Sequence, residues 1–326
     1  MKKILALLLA LWIPAAVLSG CAPQDASAAS NKLNIVTTIF PAYDWVREIL
    51  GDETDRAEIT TLLDSGVDLH SYQPTVDDIV KISDCDLFLY VGGESDGWVE
   101  DALKNAPNKD RKVIRLLDVL GDSAKAEETV EGMQEEEHDH EEEAEYDEHI
   151  WLSLKNAQVL VAAISEALQE TDPARKNTYA ANAAAYAEKL SALDGEYRAA
   201  VDSGKYKTLL FGDRFPFRYL ADDYGLDYYA AFPGCSAETE ASFETVSFLA
   251  GKMDALGLPC VLTIEGTQHK IAETVVQNTA QKNQQILTMD SMQAVTANDA
   301  ASGVSYLSIM EKNLSVLKKA LGQEAE

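Results

Sequence analysis

The sequence predicts an α/β protein of two α/β lobes with central sheets, joined by one long rigid α-helix. Three observations carry this. Short β-rich runs alternate with helix-period segments, both halves repeat that alternation, and a long striped helical segment lies between them. In the first half, 33–38, 58–63, 87–91 and 113–116 read as strands, with helical patterns at 43–50, 75–82 and 154–170. In the second half, the strands are 208–211, 228–232, 261–264 and 286–289, alternating with helices at 217–223, 243–256, 271–279 and 306–321.

Residues 172–204 form the connector. Asp172 can cap a helix, Pro173 suits its first turn and Gly204 its stop. Tyr179, Ala183, Tyr186, Leu190, Leu193, Tyr197 and Val201 recur every three or four residues and make one apolar stripe. About 30 residues at 1.5 Å rise give a rod of roughly 45 Å, long enough to run along both lobes and restrict their motion. The expected division is therefore an N-terminal lobe at 33–171, the helix at 172–204 and a C-terminal lobe at 205–326.

The N-terminus has the parts of a secretory signal. Lys2 and Lys3 precede an apolar run at 4–18, and Ser19 and Gly20 stand before Cys21. That run is too short to cross roughly 30 Å of bilayer hydrocarbon comfortably. The L-S-G-C arrangement resembles a bacterial lipobox. We therefore expect residues 1–20 to be a lipoprotein signal peptide, Cys21 to be lipidated, and 21–32 to be a flexible tether of small polar residues. This predicts an extracytoplasmic protein anchored to the cell membrane by lipid.

The chain of 326 residues carries a formal net charge of −28, which excludes nucleic-acid binding by phosphate neutralisation and favours cations near the surface. Cys85, Cys235 and Cys260 show no metal-finger spacing. Cys85 borders an apolar run and is expected to be packed, and a Cys235–Cys260 disulfide stays open. The segment 131–148, EGMQEEEHDHEEEAEYDE, lacks Lys and Arg and is nearly free of apolar residues, so it is expected to be a disordered, mobile loop. His138 and His140 within it would serve as an auxiliary metal-capture pair.

His70, in LLDSGVDLHSYQPTVDD, follows a strand and precedes a helix, which places an imidazole where open α/β sheets bind ligands. His149, in DEHIWLSLKNA, stands where the acidic run ends and a helix begins. Asp290 ends a strand in the second half. Two imidazoles from one lobe and a carboxylate from the other would converge on an ion in the cleft between them.

GVDLHSYQPT is similar to the G-x-D-P-H-x-Y-x-P-T segment of the zinc and manganese substrate-binding lipoproteins of ABC importers, the cluster A-I type. DEHIWLSLKNA resembles that family's D-P-H-x-W-L segment, YVGGESDGWVE its strand and loop, and TMDS its late D-S segment. The likeness runs from about Leu33 to the C-terminus. It implies a four-ligand cleft site with His70, His149 and Asp290 as ligands, and a permease with its ATPase as partners of a monomer. One departure stands out. Gly212, in FGDRFPFRYLADDYGL, occupies the place of the family's third ligand, and Asp213 is the nearest substitute. Glu240, Cys235 and water are alternatives, while His269 is expected to be exposed.

Two imidazoles and two carboxylates do not separate Zn²⁺ from Mn²⁺. The His-bearing acidic loop, which the resemblance associates with zinc importers, favours Zn²⁺ with Mn²⁺ as the alternative. Neutral imidazole is needed for ligation, so binding is expected to weaken below about pH 6. No H-E-x-x-H or G-x-S-x-G occurs. A secreted zinc-dependent hydrolase, with Glu265 or Glu240 as base, and a surface adhesin or metal buffer remain the alternatives to a non-enzymatic transport protein.

Overall fold

A computed structural model describes residues 32–104, 106–134, 145–236, 240–266 and 269–323. The expected signal peptide, Cys21, the tether up to residue 31, and His138 and His140 lie outside the described residues.

The first sheet contains β1 (Leu33–Thr37), β2 (Ala57–Thr61), β3 (Leu87–Tyr90) and β4 (Lys112–Arg115), all parallel, in the order β2-β1-β3-β4. The second contains β5 (Thr208–Phe215), β6 (Asp227–Pro233), β7 (Cys260–Thr263) and β8 (Gln285–Thr288), parallel in the order β6-β5-β7-β8. The central strands are apolar almost throughout, as LFLY of β3 and CVLT of β7 illustrate, because helices cover both faces of a parallel sheet. Each sheet repeats the same order, so each chain path reverses beside its first strand. The crevice outside the carboxyl ends at that reversal is where open sheets of this kind hold ligands.

In the first lobe the helices are α1 (Phe40–Leu50), α2 (Val76–Asp84), α3 (Val99–Lys104), α4 (Leu116–Leu120) and α5 (Leu154–Thr171). The connector is α6 (Lys176–Ser203), 28 residues long, and every stripe residue named from the sequence is buried. In the second lobe follow α7 (Arg218–Tyr224), α8 (Phe243–Leu256), α9 (Lys270–Asn278), α10 (Ala297–Ala301) and α11 (Tyr306–Ala320).

The last helix returns to the first lobe. It packs on α6 and α1, Tyr306 N–H donates to Asp44 Oδ2 at 2.8 Å, and the Tyr306 hydroxyl donates to the Trp151 carbonyl at 2.7 Å. One apolar core accordingly runs from Ile35 through α6 to Leu321, while a smaller core around Leu210, Phe232, Leu249 and Val275 lies wholly in the second lobe. The loops at the carboxyl ends of the two sheets meet. Trp151 Nε1 donates to the Ser291 carbonyl at 2.8 Å, and Ala297 N–H to the Asp64 carbonyl at 2.8 Å. Among the described residues no helix is long and apolar enough to cross a membrane.

Candidate metal centre

His70 sits in a single 3-10 turn after β2, Leu69–Ser71, and Asp68 caps that turn by accepting the His70 N–H at 3.0 Å. His149 stands just before a second such turn, Ile150–Leu152, which leads into α5. Asp147 accepts the His149 N–H at 2.8 Å, and the same oxygen faces His149 Nδ1 at 3.0 Å. The His149 ring is thus held from behind by the carboxylate of Asp147, two residues earlier in its own loop.

The two Nε2 atoms face each other at 3.2 Å. His70 Nδ1 lies 2.9 Å from Ser95 Oγ and 3.4 Å from Glu148 Oε2. A ring that donates from Nδ1 to a carboxylate or hydroxyl presents a lone pair at Nε2. With both rings so arranged, two lone pairs point into one space, a repulsive arrangement unless a cation lies between them. Tetrahedral zinc at about 2.0–2.1 Å from each nitrogen would set them about 3.3 Å apart, close to the separation here. Burial, then the neighbouring His149, push the His70 imidazole well below its ordinary pKa. The ring stays neutral further into acid than the ordinary imidazole value suggests, so its competition with protons starts lower than pH 6.

Cys235 completes a compact group. Its Sγ and one ring nitrogen from each of His70 and His149 all lie within 4.8 Å of one another. The thiol follows β6, and burial pushes it well above its usual pKa, helped by Asp147, Glu127 and Glu148. A hydrogen bond from the backbone of Glu148 works the other way. Gln293, 7 % exposed, places its Nε2 3.4 Å from His149 Nε2 and leaves its Oε1 without a hydrogen-bond partner.

The other expected ligands are not brought into this group. Asp213 accepts from the backbone of Arg214 at 2.9 Å and from that of Ile264 at 3.4 Å. Asp290 accepts the Met292 N–H at 2.8 Å, closing a turn in which Met292 has a φ of 67°. Glu265 accepts from Ser291 N at 2.6 Å, Ser291 Oγ at 2.7 Å and Gln293 N at 3.0 Å, so its carboxylate organises the same loop. Glu240 is exposed. His269, expected to be exposed, is half-buried as the residue capping α9. Cys235 and Cys260 are both free thiols, and Cys85 is buried as expected.

Gly212 has a steric reason. A Cβ there would lie 2.6 Å from Ala272 Cα and 2.9 Å from Ala272 N, so α9 closes this strand position to any side chain.

The acidic segment is packed at its end, not mobile throughout. Asp147 and Glu148, included in the expected mobile loop, are each 2 % exposed. Asp147 N–H bonds to the Lys125 carbonyl at 2.9 Å, the Tyr219 hydroxyl donates to the Asp147 carbonyl at 3.0 Å, and Ser95 N–H donates to Glu148 Oε1 at 2.8 Å. His149 compensates the burial of Asp147 through its N–H and ring, whereas Glu148 is met at Oε1 by Ser95 and its Oε2 has no hydrogen-bond partner among the described residues. Burial still raises the Glu148 carboxyl to about 7.

Residues 35–320 match the family described as ZnuA, zinc-uptake complex component A, periplasmic. The chain is 34% identical over 329 aligned positions to the zinc-binding lipoprotein AdcA of Streptococcus pneumoniae, across 99% of this chain and 62% of that protein. It therefore spans less than two thirds of that relative's length. Identity to the high-affinity zinc uptake system protein ZnuA of Bacillus subtilis is 29% over 305 positions, covering 91% of this chain and 90% of that one. Among solved structures, the Zn(II)-bound ZnuA-like domain of S. pneumoniae AdcA superposes with a TM-score of 0.69 at 30% identity, covering 90% of this chain and 100% of that domain.

Proposed function

The chain belongs to the zinc-uptake complex component A family, and from that premise we propose that it captures Zn²⁺ in the cleft between its lobes and delivers it to a membrane importer. The observation that carries this reading is the pair of Nε2 atoms at 3.2 Å, each on a ring whose Nδ1 faces a carboxylate. In that arrangement Asp147 holds the His149 tautomer and raises its basicity, Ser95 Oγ meets His70 Nδ1 at 2.9 Å, and the facing lone pairs are ready for a cation. His70 and His149 are the ligands we assign with the geometry directly behind them. Asp213 and Asp290 would need to leave their present backbone hydrogen bonds to join them.

The partners are a permease and its ATPase, which would receive the ion from the loaded protein. The reading places the chain outside the cytoplasm as a monomer held by a lipid on Cys21, with lobes at 33–171 and 205–326 about the helix at 172–204. Mn²⁺ is the alternative cargo. A hydrolase would need a free general base beside the ion. Glu265 accepts three hydrogen bonds from its own loop, which disfavours it in that role.

The test is purification of the full chain without chelator, followed by elemental analysis and a competition titration of Zn²⁺ against Mn²⁺. His70→Ala and His149→Ala should each abolish tight binding. Wild-type affinity in both variants would sink the reading.

A further inference from the structure

Resting on that reading of the cleft, we propose that Cys235 is a metal ligand, its thiolate filling the place in the second lobe where the resemblance leads one to expect a histidine or carboxylate. The consequence is a site that prefers zinc to manganese.

Several independent contacts bring this residue to the imidazoles. Gly234 lies directly against His149; a Cβ there would sit 2.9 Å from the Phe215 carbonyl oxygen and 3.2 Å from both Cε1 and Nδ1 of the ring, so the absence of a side chain lets the turn before Cys235 come this close. Cys235 N–H donates to Glu127 Oε1 at 2.8 Å, and Arg214 Nη1 donates to the Ser236 carbonyl at 3.3 Å. The loop is thereby tied to the first lobe on one side of the cysteine and to β5 on the other.

The alternatives in the second lobe are occupied. Position 212 is closed by Ala272, and the Asp213 carboxylate serves two backbone N–H groups. Arg214, next along the strand, turns to Asp68 and forms an ion pair. Two neutral imidazoles leave the charge of a divalent ion uncompensated, and a thiolate supplies an anionic donor. Tetrahedral zinc with nitrogen at about 2.0–2.1 Å and sulfur at about 2.3 Å sets its donors about 3.3–3.6 Å apart, so a group already within 4.8 Å reaches that geometry by contracting about 1 Å around the ion. The buried Gln293 amide, with its unpartnered oxygen and its nitrogen 3.4 Å from His149 Nε2, lies at a further corner of the same space.

Coordination forms the metal–sulfur bond and sends the thiol proton to solvent. Thiolate suits zinc, whereas manganese prefers oxygen donors.

The full chain is loaded with Co²⁺ and its near-ultraviolet absorption recorded, and Zn²⁺ and Mn²⁺ affinities are measured for the wild type, Cys235→Ser and His70→Ala. The expected result is an intense thiolate-to-cobalt charge-transfer band in the wild type that Cys235→Ser lacks. Zn²⁺ affinity should fall at least about 100-fold in Cys235→Ser, beyond the 10–100-fold typical of a residue that only supports a ligand, and the margin over Mn²⁺ should shrink. A wild-type spectrum without that band overturns the inference even if Cys235→Ser does not fold. Wild-type Zn²⁺ affinity in Cys235→Ser overturns it too. If His70→Ala still abolishes binding in either case, the metal-capture reading survives without Cys235. If His70→Ala also keeps full affinity, both fall together.

Discussion

Arg214 on β5 forms an ion pair with Asp68 in the turn before His70, and Asp68 uses its other oxygen to accept the His70 N–H at 3.0 Å. One carboxylate therefore links the second lobe to a metal-site histidine of the first. Burial works to raise the Asp68 carboxyl, but Arg214 and then His70 outweigh it and hold the group below the usual carboxylate range. Asp68→Asn would keep an acceptor for His70 while losing the ion pair, and Arg214→Met would leave the Asp68 charge uncompensated. We expect each to weaken Zn²⁺ binding about 10–100-fold, as loss of an outer support does, and the double variant to lose little more than either single one. Calorimetric titration of all four proteins reads the coupling. Additive losses would show that the pair does not act as a unit.

Asp147 holds His149 through both its N–H and its ring. Asp147→Asn preserves the shape but can present a donor to Nδ1 and favour the wrong tautomer. The expected loss in Zn²⁺ affinity is about 10–100-fold with the fold intact. Unchanged affinity would mean that the ring orientation comes from packing against Trp151, whose ring lies 5.3 Å away, and not from the carboxylate.

The sequence made His70 and His149 legible because each sits in a local run of residues that resembles a known segment. The strands were legible because buried parallel strands read as continuous apolar runs such as 87–91. The short α3, α4 and α10, of five or six residues, left no helical period to detect. Glu148 was hidden by its neighbours, since a charge run averages to mobility even when its last two members are buried. Cys235 was one of several substitutes. Only the closure of position 212 by α9 and the approach of Gly234 to His149 set it apart, and both are facts of packing between distant segments. Gln293 carried no signal at all.

Asp44 is 2 % exposed, and burial raises its pKa to about 6 although Tyr306 N–H donates to it. A carboxyl with a raised folded-state pKa binds more protons folded than unfolded between about pH 4 and 6. Its contribution to stability is therefore present below the unfolded pKa and is lost as pH rises through the folded one. Asn keeps an acceptor for Tyr306 and cannot ionise. The stability of Asp44→Asn relative to wild type should rise by about 1–3 kcal/mol between pH 4 and 7 and then level off. Urea unfolding of both proteins across that range measures it. A difference independent of pH would show that Asp44 ionises without penalty.

Gly212→His separates sequence position from available space. The resemblance suggests that a histidine here would restore a usual ligand and tighten binding. The packing says otherwise, since the first side-chain atom would meet the backbone of Ala272 on α9 at 2.6–2.9 Å, and backbone cannot swing aside as a flexible side-chain end can. Overpacking of this kind costs about 1–3 kcal/mol. Gly212→His and Gly212→Ala should both lower the unfolding midpoint, and by comparable amounts, because the shared Cβ makes the clash. Neither should raise Zn²⁺ affinity. A histidine variant that binds zinc more tightly than wild type would mean that α9 yields to the new ring, and that this strand position can still reach the ion.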